Sequence, residues 1–342
     1  MESVTIKDVA KYAGVSVATV SRVLNKPDMV AKDKQKIVRD AIDALQYVPN
    51  ASARNLVAGY TRTIGIVVSD LQNPFVSMVV DNCIRKFDSM GYVVFLVSCK
   101  NISQRKDVFV HMCQRRVEAV IMFGVMSLDS QQYRSIQDQL GSIPLIKVGP
   151  GFDDFYYRIY SEEDRGSYLA VEYLIKLGHR RIALLNYNIE YDSYYFKEIG
   201  YQKAMVDNRI IVDSDYIVHL ESDSSEHAVA AITRLFDLPK PPTAMILAGD
   251  KLAWYVYEVA AQRGLRIPDD LAVIGFGNTS FSGHMIPKLT TIDQQPELLG
   301  NRVAMIVCEI IRGKSSFHEW AYNVRLLKRE STQRMDEDET KV

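Results

Sequence analysis

Cysteine is scarce in this chain of 342 residues. The four present, Cys83, Cys99, Cys113 and Cys308, match neither a zinc site nor a Cys-x-x-Cys redox pair. They read as plain buried or half-buried thiols, and no metal or cofactor is expected. Long apolar runs are missing too: nothing approaches the roughly 18 uninterrupted apolar residues of a membrane span. The opening MESVTIKDVAKYAG carries acidic residues and no apolar leader core. A cytoplasmic protein without membrane contact is expected. The Gly-x-Ser-x-Gly, P-loop, Gly-x-Gly-x-x-Gly and His-Glu-x-x-His signatures of common enzymes are absent, so no catalytic residue is assigned and the chain is not read as an enzyme. Net charge is nearly nil, at −1. That balance hides an uneven distribution. Residues 1–62 hold ten Lys and Arg against six Asp and Glu, a local surplus of four positive charges on an otherwise acidic chain. The length allows two or three units, here a small basic one and a large body.

The basic unit reads as three short helices. Thr5-Ile-Lys-Asp8 has the form of a capping box that starts a helix. Ile6, Val9, Ala10 and Ala13 give that helix a narrow apolar face, and Gly14 stops it. Ser16 caps a second helix, Val17 to Leu24. Val20, Val23 and Leu24 point inward; Val17, Ala18, Ser21, Arg22 and Asn25 are left outside. Two short helices joined by Gly-Val-Ser make a helix-turn-helix. A third amphipathic helix, about Lys32 to Leu45, offers Ile37, Val38, Ala41, Ile42 and Leu45 to close the core. Such geometry also occurs in proteins that never touch DNA.

The string decides what the geometry leaves open. VTIKDVAKYAGVSVATVSRVLN followed by QYVPNASARNL closely resembles the N-terminal signature of the lactose-repressor/galactose-repressor family, and looser likeness continues to about residue 331. The resemblance implies a DNA-binding transcription regulator whose second helix lies in the major groove. Arg22 would pair with a guanine, and Val17 and Ala18 would meet a thymine methyl or leave room for a base step. Thr5, Ser16, Thr19, Ser21, Asn25 and Tyr47 match family positions that hold phosphates and so fix register. By the same resemblance Asn50, Ala53, Arg54 and Leu56 belong to a hinge helix that folds on DNA, with Leu56 wedged into a minor-groove step. The family usually has Ser where Ala31 precedes the third helix, so that helix should start less firmly or borrow Asp33.

From residue 62 onward strands alternate with helices. Ile64–Ser69, Asn73-Pro74 to Met90, and Tyr92–Ser98 form a βαβ unit. Further strands fall near 119–123, 144–148, 181–186, 243–248 and 271–275, with helices near 164–177, 194–207, 224–236, 251–262 and 296–311. The fold class expected is therefore α/β: an all-α headpiece plus a body of two doubly wound parallel-sheet lobes. Gly178–Leu185, Leu271–Phe276 and Leu289–Ile292 resemble the family's periplasmic-binding-protein-like core, which implies lobe crossings near 160, 290 and 320 and a ligand cleft at the strands' carboxyl ends. The organisation expected is headpiece 1–48, hinge 49–61, body 62–331 and a disordered acidic tail 332–342. Within the body, one lobe takes about 62–160 and 290–320, the other about 161–289 and 321–331.

In the cleft, Ser69, Phe75, Tyr160, Lys197, Asp250 and Asn278 are the expected lining. Sugar-binding relatives carry an Arg where this chain has Lys197 and an Asp where it has Gly277; Gly149 and Gly249 also replace polar residues. Two readings stay open. In one, a sugar or sugar phosphate binds, with Lys197 serving its anion. In the other, the cleft is degenerate and a protein corepressor takes control. His179 sits in a helix-to-strand turn with no partner carboxylate and reads as structural. One headpiece reads one half-site, so a homodimer on a pseudo-palindromic double-stranded operator is implied. Helices 75–90 and 251–262, with Met78, Val79, Trp254, Tyr255 and Tyr257, are the expected interface. A dimeric repressor of carbohydrate-utilisation genes, bound to the bacterial nucleoid when on its operator, is the resulting expectation.

Overall fold

The computed structural model describes residues 4–25, 27–47, 60–99, 106–124, 128, 130–151, 156–188, 192–221, 224–315 and 318–332. The chain divides into two units, Met1–Thr61 and Arg62–Val342. The expected hinge residues Asn50, Ala53, Arg54 and Leu56, and the acidic tail beyond Thr332, lie outside the described residues.

The first unit holds α1 (Ile6–Ala13), α2 (Val17–Asn25) and α3 (Lys32–Ala44). The capping box forms: Asp8 Oδ2 accepts from the Thr5 N–H at 2.8 Å and from Thr5 Oγ1 at 2.6 Å. Gly14 takes the left-handed conformation, φ 63°, that ends α1 without a Cβ penalty. Ala31 leaves the start of α3 without a side-chain cap. Val9, Ala10, Val20, Val23, Val38 and Ala41 form the core. Ile37, expected inside, is 47% exposed, because Val38 and Ala41 already fill the inner face of α3.

The bonds from Thr5 hold the Asp8 carboxyl below its ordinary 3.8. A depressed carboxyl pKa contributes stability that is present above 3.8 and lost as pH falls through the lowered value. A carboxyl-carbon NMR titration of the full chain should place the Asp8 midpoint below 3.8, and Thr5→Ala should bring it back up.

The second unit is built on two six-stranded sheets. The first contains β1 (Thr63–Val68), β2 (Val93–Ser98), β3 (Ala119–Phe123), β4 (Leu145–Val148), β5 (Tyr157–Ser161) and β11 (Glu319–Tyr322), in the order β11-β5-β4-β3-β1-β2. The second contains β6 (Ile182–Tyr187), β7 (Ile217–Leu220), β8 (Ala244–Leu247), β9 (Ala272–Phe276), β10 (Thr290–Asp293) and β12 (Arg325–Leu327), in the order β12-β10-β9-β8-β6-β7. Among the described residues all pairings are parallel except β10 with β12. Parallel strands buried on both faces favour continuous apolar runs, and β3 and β9 are buried at every position.

Helices cover both faces of each sheet. Those that matter below are α4 (Pro74–Ser89) and α11 (Pro296–Ile311) in the first lobe, with α5 (Lys106–Gln114) and α6 (Ser130–Leu140) on its other face. The second lobe has α7 (Glu163–Lys176), α8 (Asp192–Asp207), α9 (Ser225–Phe236) and α10 (Leu252–Gln262). In each lobe one glycine lets two helices touch backbone to backbone. A Cβ on Gly200 of α8 would lie within 3.0 Å of three backbone atoms of Asp164 in α7, and one on Gly300 of α11 would collide with the Val79 carbonyl of α4.

The chain passes between lobes after β5, after β10 and after β11. The crossing expected near 290 falls after Asp293, because Thr290–Asp293 completes the second sheet against β9 and β12. The one expected near 320 falls after Tyr322, since β11 pairs with β5 throughout. Val79, expected at a dimer interface, is buried in its own lobe's core. No described helix is long and apolar enough to cross a membrane.

Candidate functional site

In the first unit, Ser16 caps α2: its hydroxyl accepts from the Thr19 N–H at 3.2 Å and lies 2.9 Å from Thr19 Oγ1. With Val20 and Val23 buried, the opposite face presents Val17, Ala18 and Arg22 to solvent, with Ser21 half-buried beside them. Asn25 is the last residue of α2. Tyr47 packs part-buried against the core, its backbone N–H bonded to Ile42 O at 2.9 Å. The result is a rigid helix face carrying one guanidinium and two small apolar groups. That suits base edges, which offer acceptors and methyls in the major groove.

In the second unit a cavity of about 270 Å³ lies between the lobes at the carboxyl ends of the strands, at the low end for small-ligand sites. Asn73 opens α4 by accepting from the Phe75 and Val76 N–H groups, which aims Phe75 into the cavity. Ser69, Tyr160, Lys197 and Asp250 also line it. Asn278 does not. Its amide donates to Asp293 Oδ1 at 3.2 Å and accepts from Arg329 at 2.8 Å, so it belongs to a network behind the wall. Asp250 lines the cavity with its oxygens already engaged. Thr279 N–H and Oγ1 donate to one at 2.7 and 2.8 Å, and Thr291 Oγ1 to the other at 2.6 Å. It organises the loop after β9.

Lys197 is also engaged. Its ammonium donates to Ser193 Oγ and to the Ala248 carbonyl, each at 3.1 Å, and lies 3.6 Å from Glu163 Oε2 and 4.6 Å from the centre of the Phe276 ring. Burial pushes the Lys197 ammonium down and the Glu163 carboxyl up, and each opposes the shift of the other by mutual attraction. Gln294 completes the cluster, donating to Ser161 Oγ at 2.7 Å and Glu163 Oε1 at 3.1 Å. Across the cavity, Lys147 of β4 meets Asp192 of α8 at 2.6 Å. Gly277 has φ 119°, and a Cβ there would touch Phe75 at 3.4 Å, so Phe75 fills the room a larger residue would need.

Comparison with known proteins agrees with this geometry. Residues 5–50 match the model for bacterial regulatory proteins of the lacI family, and residues 171–332 match that of the periplasmic binding protein-like domain. The HTH-type transcriptional repressor PurR of Vibrio atlanticus is 33% identical over 315 residues, covering 91% of this chain and 92% of that protein. That of Photorhabdus laumondii is 31% identical over 331 residues, 96% of each. The chain belongs to the LacI family. Among solved structures, the lac repressor dimer bound to operator and an anti-inducer is similar with a TM-score of 0.88 and 28% identity, over 97% of this chain and all of that one. The CelR–cellobiose complex is similar with a TM-score of 0.72 and 25% identity, over 96% of this chain and 99% of that one. This LacI-family protein is a DNA-binding transcriptional repressor with a ligand-binding body, as its N-terminal signature implied. Its fold is the expected one, a helix-turn-helix headpiece and two parallel-sheet lobes. Repressors of the family bind operator DNA and small-molecule effectors, and form dimers.

Reading the repressor's sequence missed Lys147, Glu163, Asp192, Ser193 and Gln294. One signal was available: a lysine inside the otherwise apolar run Leu-Ile-Lys-Val of β4. His179 packs in its turn with Nδ1 3.0 Å from Thr243 Oγ1, and burial lowers its pKa below 6.5. Among the described residues no cluster of His, Cys, Asp or Glu is placed to hold a metal.

Proposed function

We propose that this chain is a dimeric repressor of carbohydrate-utilisation genes whose operator affinity is set by a small carbohydrate-type ligand, a sugar or sugar phosphate, held between its lobes. The cavity carries this reading. Its small volume, its aromatic walls at Phe75, Tyr160 and Phe276, and its buried charged groups offer stacking surface and hydrogen bonds together. The similar CelR structure holds cellobiose. The working division is a headpiece over 1–48, a hinge over 49–61, the effector-binding and dimerising body over 62–331, and a tail. The repressor works in the cytoplasm, at the nucleoid when on DNA. A dimer contact through the exposed Trp254, which stacks on Phe281 at 4.4 Å, fits this scheme.

Val17, Ala18 and Arg22 read bases in this proposal. Thr5, Ser16, Thr19, Ser21, Asn25 and Tyr47 hold phosphates, and Asn50, Ala53, Arg54 and Leu56 enter the minor groove. Arg22→Ala should weaken operator binding by about 1–3 kcal/mol and relax preference at one base pair, measured by anisotropy on a labelled duplex and its single-pair variants. A uniform loss across all duplexes would instead make Arg22 a phosphate contact. The sensor is tested by a thermal-shift screen of sugars and sugar phosphates, since a ligand of the folded state raises its melting temperature. No shift with any of them, with regulation dependent on a copurifying protein, would favour the corepressor reading.

A further inference from the structure

A strand buried on both faces of a parallel sheet calls for apolar side chains. β4 is such a strand, yet Lys147 stands in its middle, 2% exposed. Its ammonium reaches out of the first lobe to the carboxylate of Asp192, the first residue of α8 in the second, and both side chains are almost wholly buried. As glue such a pair is poor, because dehydrating two ions costs several kcal/mol each and an apolar pair of like size does as well. What distinguishes it is that its halves belong to different lobes.

The two halves fare differently when the lobes part. Asp192 leaves on the N-terminal turn of a helix, where water and the helix dipole both favour an anion. Lys147 is fixed in mid-strand. It lines the cavity, whereas Arg158, in register beside it on β5, does not and gives its guanidinium to the Gly151 carbonyl. When Asp192 leaves, the ammonium of Lys147 stays behind on the first-lobe wall of the cavity. Lys197 gives no such selectivity, since its carboxylate, Glu163, travels with it in the same lobe.

We propose that the Asp192 carboxylate is a built-in surrogate for an anionic group on the effector, and that Lys147 is the residue that selects that anion. The effector is then a phosphorylated or carboxylated small molecule whose anion takes the place of Asp192 on Lys147 as the cleft closes around it. This rests on the reading of the cavity as an effector site.

The test uses the full-length protein and orthophosphate as the probe, titrated against chloride at constant ionic strength and read as thermal shift. Removing the competitor in Asp192→Asn should tighten the apparent phosphate affinity about tenfold over wild type. The gain should vanish in Lys147→Met/Asp192→Asn. Asp192→Ser, which keeps an oxygen at the start of α8, carries the same readout where Asn at 192 does not fold. Equal phosphate responses with and without Lys147, or no gain on removing Asp192, would overturn the proposal. If no sugar or sugar phosphate shifts the wild-type protein but Asp192→Asn takes phosphate through Lys147, the anion seat stands and the carbohydrate reading alone fails.

Discussion

Lys197→Met is expected to cost the body about 3–5 kcal/mol, read from its urea transition at neutral pH, because it strands the Glu163 carboxylate in an almost wholly buried position. The side chains of both partners are 6% exposed, so solvent takes over little of the role of the lost ammonium. Ser193 and Gln294 still bond to Glu163, but neither carries the charge that offsets its burial. The double variant Lys197→Met/Glu163→Gln should recover most of the loss, since a neutral amide needs no counterion and can still bond to Ser193. A single variant within about 1 kcal/mol of wild type would overturn this expectation.

Gly200→Ala should be comparably damaging, at about 3 kcal/mol or more, for a steric reason. The added methyl meets main-chain atoms of Asp164, and a backbone cannot swing aside as a side-chain tip can. Either α7 and α8 separate, opening the core around Tyr201 and Ala204, or the helices bend. Gly249→Ala is the control. A Cβ there meets nothing within 4 Å, and its φ is not in the left-handed range, so the change should be neutral or slightly stabilising. Circular-dichroism melts of the two variants side by side give the comparison.

How much of this was legible in the sequence depended on how local the cause was. The capping box at Thr5 and Asp8, the stop at Gly14 and the uncapped start at Ala31 are decided within four residues, and all three are as expected. The central strands announced themselves as apolar runs. β5, β7 and β11, short and mixed in polarity, did not, because they carry no continuous apolar run. In the cleft, Lys197 could be placed, but its neutralisation by Glu163, 34 positions upstream, could not. Asp250 lines the cavity as expected and Asn278 does not, and the partners of both were not foreseeable for the same reason. Thr279, Thr291, Asp293 and Arg329 claim them through a fold that periodicity alone does not specify.

The three passages of the chain between the lobes have a mechanical consequence. Two plates joined by a single strap can swing, slide and twist; joined by three side by side, after Ser161, Asp293 and Tyr322, they keep little more than one rotation. Ligands of quite different outline would then drive the same stroke. What distinguishes a strong effector from a weak one is how much of the population it moves along that single path, never the direction in which the molecule moves.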